Sequence, residues 1–281
     1  MHDAKHDIRH QYVHGYSGQE QVRLLDQANT LAELLHDSTR YPPGAHVLEA
    51  GCGVGAQTAI LARNSPAARF TSIDISLASI EIARTSLAAA RATAAAQDLA
   101  HVAFRQADIF HLPFAAQTFD HVFVCFVLEH LQQPIAALQH LQAVLKPGGT
   151  LTVIEGDHGS AYFYPPSRYA QRAIDCLVEL QSRMGGNSLI GRQLYPLLCR
   201  AGFQNVSVSP RQVYADAGRP AWVEGFTKNT FTAMIAGARE QALAQGLIAP
   251  GAWDQGIADL YATAGAEGTF SYTFFKGIAV R

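Results

Sequence analysis

A doubly wound, mostly parallel α/β sheet is the fold the sequence predicts, and three observations predict it. Short apolar runs alternate with helix-length segments from about residue 46 to residue 155. A glycine-rich string, Gly51-Cys52-Gly53-Val54-Gly55, directly follows the first run. Asp74 closes the second run and Asp108 follows the third, at the strand ends where open α/β sheets hold their ligands.

Each element has a local reason. Ser17 and Glu20 form an S-x-x-E capping box, and Leu24, Ala28, Leu31 and Leu35 follow at helical spacing, predicting a helix over about 17–37 that Tyr41-Pro42-Pro43-Gly44 ends. His46–Ala50 reads as a strand and Gln57–Arg63 as the helix after the glycine loop. Arg69–Ile73 is the second strand, and Ser76 caps an alanine-rich helix from Leu77 to about Ala96. Val102–Gln106 and the apolar run His121–Val127 are the third and fourth strands, the latter buried on both faces. Pro134 starts a helix that stops at Lys146-Pro147-Gly148-Gly149, and Thr150–Glu155 is the fifth strand.

Beyond residue 156 the rhythm loosens. Ser167–Arg183, Gln193–Ala201, Ala221–Gln245 and Trp253–Ala264 read as helices, whereas Val206–Tyr214 and Phe270–Val280 read as strands that complete the sheet. Residues 215–268 are long for a connection within a compact sheet, so they are expected to form a helical cap or an oligomer contact. The expected units are an N-terminal arm and lid helix over 1–43, a core over 44–214 with its cofactor half at 44–156, a cap insertion over 215–268 and a final core strand over 269–281.

Composition narrows the partners. With 281 residues, 48% apolar and 16% charged, the chain has material for a substantial core and should fold alone or as a homo-oligomer. A formal charge of −2 without a long basic run argues against nucleic acid. Met1–His14 lacks the apolar centre of a secretion signal and no run of about 18 apolar residues could span a bilayer, so the expected location is cytoplasmic. Cys52, Cys125, Cys176 and Cys199 have no C-x-x-C spacing and are expected to be reduced structural thiols. His2, His6, His10 and His14 would align on one face of a helix, but a solvated arm is the plainer reading and no metal is expected.

The string Val47-Leu48-Glu49-Ala50-Gly51-Cys52-Gly53-Val54-Gly55 carries the chemistry. Its glycines permit positive φ and close backbone approach to a ligand. Glu49, two residues before the first glycine, suits a cationic aminoacyl group better than a pyrophosphate. Gly51, Gly53 and Ala56 also fit the dinucleotide fingerprint, and Asp74 indicates a ribose without identifying the reaction. Further strings separate the readings: Ala107-Asp108-Ile109, Phe119-Asp120-His121-Val122, Val127-Leu128-Glu129-His130 and Leu145-Lys146-Pro147-Gly148-Gly149.

With these strings, residues 44–156 resemble the class I S-adenosylmethionine methyltransferases, in the small-molecule branch similar to the ubiquinone/menaquinone enzymes. The resemblance implies a Rossmann-like seven-stranded sheet, S-adenosylmethionine as cofactor and S-adenosylhomocysteine as product. It implies that Glu49, Gly51, Gly53 and Gly55 form the aminoacyl-side loop and that Asp74 binds the ribose, and Cys52, lying within that loop, would touch the cofactor. Ile75 would lie on the adenine, Asp108 would accept from its amino group with Ile109 alongside, and Phe126 would face the cofactor. The segment before the first strand often folds over the cofactor in such enzymes, which places Tyr16 on the cofactor and Tyr12 on the acceptor.

For the acceptor the residues themselves must serve. Asp157 and His158 follow the fifth strand and are the candidate bases, with Tyr162 and Tyr164 packing around a planar acceptor and His130 orienting substrate or water. Asp120 reads as a structural brace. Arg168, Arg192 and Arg211 are candidates for an acidic substrate group, and Trp222, Phe226, Phe231 and Met234 read first as core or interface. The expected function is methyl transfer to an oxygen, nitrogen or carbon atom of a small organic acceptor. The rivals are a non-catalytic S-adenosylmethionine-binding protein, a protein or nucleic-acid methyltransferase, and a nicotinamide oxidoreductase. In the last, Glu49, Asp108 and the Lys-Pro-Gly-Gly string have no role.

Overall fold

The computed structural model describes residues 18–92 and 100–281. Its centre is a seven-stranded sheet in the order β3-β2-β1-β4-β5-β7-β6. The strands are β1 (His46–Ala50), β2 (Arg69–Asp74), β3 (His101–Gln106), β4 (Phe119–Cys125), β5 (Leu145–Tyr164), β6 (Gln204–Asp216) and β7 (Thr269–Val280). Strands β1 to β5 pair in parallel, and β7 runs antiparallel between β5 and β6. The order reverses between β1 and β4, so a crevice opens outside their carboxyl ends, the usual ligand position in open α/β sheets.

The helices follow the local signals. Helix α1 (Gly18–His36) and α2 (Ala56–Asn64) precede α3 (Leu77–Arg91), whose first turn is capped by the Ser76 hydroxyl accepting from Ser79 N at 3.2 Å. Helix α4 (Pro134–Val144) starts on proline, α5 (Arg168–Arg183) is capped by Ser167, and α6 (Leu194–Arg200) leads into β6. Apolar side chains fill both faces of the sheet. One layer joins Leu31 and Leu35 of α1 to Leu177 of α5 and Phe123 of β4; the other joins Leu138 of α4 and Leu198 of α6 to Leu48 and Val124.

Two expectations about the C-terminal part need correction. The fifth strand does not stop at Glu155: β5 continues to Tyr164 because the long β7 supplies ladder partners, pairing Tyr162 with Ser271 and Tyr164 with Thr269. The register shifts between Asp157 and Tyr162, where the Ser160 hydroxyl donates to Asp157 O and accepts from Thr273 N. The helix expected over 221–245 is broken into α7 (Pro220–Trp222), a π-helix (Val223–Thr232), α8 (Ala233–Gly237) and α9 (Arg239–Ala244), and α10 (Pro250–Ala262) follows. The π-helix packs on α1 and α10 on α5, so the stretch between β6 and β7 covers the same face of the sheet as α1. No helix among the described residues is long and apolar enough to cross a membrane, and all four cysteines are unpaired.

Candidate functional site

A cavity of about 840 Å³ occupies the crevice and reaches from the glycine loop to β7. Its first half is made largely of backbone. Gly51 and Gly53 have φ of 79° and 51°, values that favour glycine. Gly51 N and Cys52 N both donate to Ile73 O, which fixes the loop over β2. A Cβ at Gly51 would lie 2.3 Å from Val127 Cγ2, whereas a Cβ at Gly53 would meet nothing within 4 Å. The loop is thus packed on one side and open to the cavity on the other.

Asp74 lies in the cavity wall. Its Oδ2 accepts from Gly53 N and its Oδ1 from Ser76 N, each at 2.8 Å, so each oxygen keeps lone-pair capacity for a further donor. Burial raises its pKa, and the same backbone N–H groups oppose the rise. Asp108 lies in the wall beyond β3, with Oδ1 accepting from Phe110 N and Oδ2 2.9 Å from His111 Nδ1. Cys52, Ile75, Ile109 and Phe126 also line the cavity. Phe126 sits at φ 57° with its N–H donating to Ile154 O, a conformation of the kind that gathers at functional sites.

Two residues expected at the cofactor are placed outside the cavity wall. Glu49 is buried beneath the loop, where its Oε2 accepts from Thr58 Oγ1 and Ser72 Oγ at 2.7 and 2.6 Å. Burial pushes its carboxyl up to about 7 against these hydrogen bonds. Glu49 therefore ties β1 to β2 and α2, with its other oxygen, Oε1, buried and without a hydrogen-bond partner among the described residues. Gly55 begins α2 at φ 80°, where a Cβ would come 2.9 Å from Ala83 Cβ; it closes α2 against α3.

The other half of the cavity is made of side chains from distant elements. His158, on β5, is buried and lines the cavity, with Nδ1 2.7 Å from the Tyr272 hydroxyl on β7. Burial lowers the His158 pKa; Glu129 and Asp157 raise it, and His130 and Arg23 lower it. At Gly156 a Cβ would meet Tyr272 Oη at 2.4 Å, so glycine there lets the tyrosine reach the histidine. Glu129 and His130 line the cavity after β4, and Gln181 Nε2 donates to Glu129 Oε2 at 3.1 Å. Beneath them Glu155 accepts from Val127 N and Leu128 N; burial and the neighbouring Glu129 hold its carboxyl well above the usual range.

The remaining expected acceptor residues are not brought to the cavity. Asp157 is buried, but pairs with Arg192 through two 2.7 Å contacts on the other side of β5, and Arg192 is thereby occupied. Tyr162 and Tyr164 are 74% and 56% exposed on the extension of β5, because the strand continues instead of folding back as a loop. Asp120 is the brace expected of it, accepting from His46 N and pairing with Lys146. Tyr12 and Tyr16 lie outside the described residues. Conversely, Phe226, Phe231 and Met234, expected in the core, are part of the cavity wall as well.

Sequence reasoning missed Tyr272, Glu129, Gln181 and Gly156. For Tyr272 a signal existed: Phe270, Tyr272 and Phe274 alternate along a strand, and a tyrosine on a buried face needs a partner for its hydroxyl.

Known proteins resemble this chain in sequence and in fold. Residues 48–153 match a family described as a methyltransferase domain. An uncharacterised transposon protein of Streptomyces fradiae is 33% identical over 78% of this chain and 61% of its own length. An O-methyltransferase of Pyrenophora dematioidea is 29% identical over 54% of this chain and 56% of its own. The chain thus spans less than two thirds of these curated relatives. The phosphoethanolamine N-methyltransferase 2 of Haemonchus contortus, solved with S-adenosyl-L-methionine, superposes with a TM-score of 0.55 at 17% identity, over 90% of this chain and 52% of that one, a likeness of fold. Residues 48–153 thus match a methyltransferase-domain family, and the seven-stranded sheet shares its fold with the Haemonchus contortus enzyme.

Proposed function

We propose that this protein transfers the methyl group of S-adenosylmethionine to a small organic acceptor. The observation that carries the reading is one continuous cavity that joins Gly51, Gly53, Asp74 and Asp108 to the His158–Tyr272 pair. The residues fit the cofactor: Asp74 keeps acceptor capacity for a pair of ribose hydroxyls, and the backbone at Gly53 is open to close approach. Ile75 and Ile109 supply apolar contact for the adenine, Asp108 accepts from its amino group, and Phe126 bounds the reacting end. When bound, the cofactor supplies an electrophilic methyl group on a sulfonium.

The chain's own part is alignment, exclusion of water and removal of a proton. His158 is the base. Its lowered pKa keeps the imidazole unprotonated at neutral pH, ready to accept. The role uses the tautomer in which Nδ1–H donates to the Tyr272 oxygen, which leaves Nε2 unprotonated for the acceptor. The relative named as an O-methyltransferase supports oxygen as the acceptor atom. Helix α1 contributes Arg23, Leu24 and Gln27 to the cavity mouth and acts as its lid, while the 215–268 stretch supplies the acceptor wall.

The test is direct. Titration with S-adenosylhomocysteine should give saturable binding by calorimetry and a raised Tm. Labelled S-adenosylmethionine incubated with a metabolite extract should leave its methyl group on a compound of low mass. Binding without transfer to any such compound would leave a cofactor-binding protein, and absence of binding would end the reading.

A further inference from the structure

We propose that His36 is a positioning residue for the cofactor: through Gln57 it presents an amide NH2 to the cavity beside the glycine loop, where these donors hold the carboxylate of S-adenosylmethionine. This rests on the methyl-transfer reading above and adds two residues to its cofactor site.

The pair joins two helices. His36 is the last residue of α1 and 2% exposed, with its ring centroid 5.6 Å from that of Phe123 on β4. Gln57 is the second residue of α2, directly after the glycine loop, and lines the cavity with Gly53, Val54 and Ala56. Their side chains meet at 2.6 Å, His36 Nε2 to Gln57 Oε1, which occupies one end of the amide. The other end, Gln57 Nε2, has no hydrogen-bond partner among the described residues and is not buried, so it opens to the cavity.

The direction of this contact follows from what surrounds the imidazole. Burial pulls the His36 pKa down to about 4, so at neutral pH the ring is uncharged and carries a single N–H. Its Nδ1 is buried without a partner. If Nδ1 bore the hydrogen, an N–H would be sealed from both water and acceptors, which folded proteins seldom allow; a bare lone pair in the same place costs less. The hydrogen therefore sits on Nε2 and is donated to Gln57 Oε1. An amide held by its oxygen turns its NH2 the other way, and the cavity receives two N–H donors.

Donors at this place suit an anion. Gln57 lies in the first turn of α2, where backbone N–H groups lack partners inside the helix and the helix dipole favours negative charge. Glu49, the acid of the preceding strand, is engaged by Thr58 and Ser72 and lies outside the cavity wall. S-adenosylmethionine has a single anionic group, the carboxylate of its aminoacyl end.

Calorimetry on the full chain tests this with three ligands: S-adenosylhomocysteine, its decarboxylated analogue, which keeps the amine, and methylthioadenosine, which has neither group. The wild type should prefer S-adenosylhomocysteine to the decarboxylated analogue by about tenfold, the strength of a hydrogen bond to a charged group. Gln57→Leu and His36→Phe should each remove most of that preference and leave methylthioadenosine affinity within about twofold. His36→Gln puts a donor back near the place of Nε2 and should restore most of the preference. The double variant of Gln57→Leu and His36→Phe should be no weaker than Gln57→Leu alone, because both act on one contact. An equal loss for both amine-bearing ligands in Gln57→Leu would show that the carboxylate is not the group held and would overturn the assignment. A loss in His36→Phe that extends to methylthioadenosine, or that His36→Gln does not restore, would make His36 structural only. An unchanged preference in Gln57→Leu ends the proposal while the cofactor reading stands; if none of the three ligands binds the wild type, the methyl-transfer reading falls with it.

Discussion

The two halves of the cavity are built from different materials. The cofactor half is made of backbone: two positive-φ glycines, and carboxylates at the ends of β2 and β3 pinned by backbone N–H groups, Asp74 by Gly53 and Ser76 and Asp108 by Phe110. The acceptor half is made of side chains contributed by α1, the segment after β4, β5, the π-helix and β7, with His158 and Tyr272 114 residues apart. Backbone geometry resists most substitutions except at the glycines themselves. Side-chain walls can be re-cut one residue at a time. On the proposed function, acceptor choice is therefore separable from cofactor binding.

The largest expected effect lies in the acceptor half. His158→Ala should lower kcat by about 10²–10⁴ and leave S-adenosylhomocysteine affinity within about twofold. The wild-type rate should be flat through neutrality and fall in acid, because burial sets the His158 pKa below its ordinary 6.5 and protonation removes the base. A rate that still climbs above pH 7 would assign the proton to another group. Next in size is the cofactor half: Asp74→Ala should weaken S-adenosylhomocysteine by about 1–3 kcal/mol in calorimetry, with kcat at saturation little changed. Gly51→Ala should weaken it by a similar amount, about 1–3 kcal/mol, through backbone strain and the approach to Val127. Should either variant change acceptor preference instead, the separation of halves would be wrong. The smallest effect belongs outside both: Tyr162→Ala and Tyr164→Ala should leave kcat/KM within about twofold, since these rings face solvent.

This division also explains what could be read from the chain. In the cofactor half, contiguous strings place their residues within one strand and the turn after it, so Gly51, Gly53, Asp74 and Asp108 were found with their neighbourhoods. The sheet was legible for the same reason, since alternating strands and helices are local patterns. Asp157, Tyr162 and Tyr164 were misplaced because the course of β5 past Glu155 is decided by its pairing with β7, more than a hundred positions later in the chain. Phe226 and Phe231 are core, as expected, and that they also line the cavity was not legible, because helical periodicity assumes 3.6 residues per turn, which a π-helix does not keep.

Strand β7 carries one more feature on its inward face. Beyond Tyr272 and Phe274, Lys276 is buried, its ammonium donating to Leu35 O, Ser38 Oγ and Thr39 Oγ1 at the end of α1. Desolvation pulls its pKa to about 8, yet it stays mostly charged at pH 7. Detaching this end of α1 would strand a cation among apolar side chains, a far costlier event than fraying a helix start. Lys276 therefore anchors α1 at Leu35–Thr39, the end opposite the one that carries Arg23, Leu24 and Gln27 to the cavity. Hydrogen exchange should show it: S-adenosylhomocysteine should slow the amides of residues 23–30, while those of 33–37 stay protected with or without it.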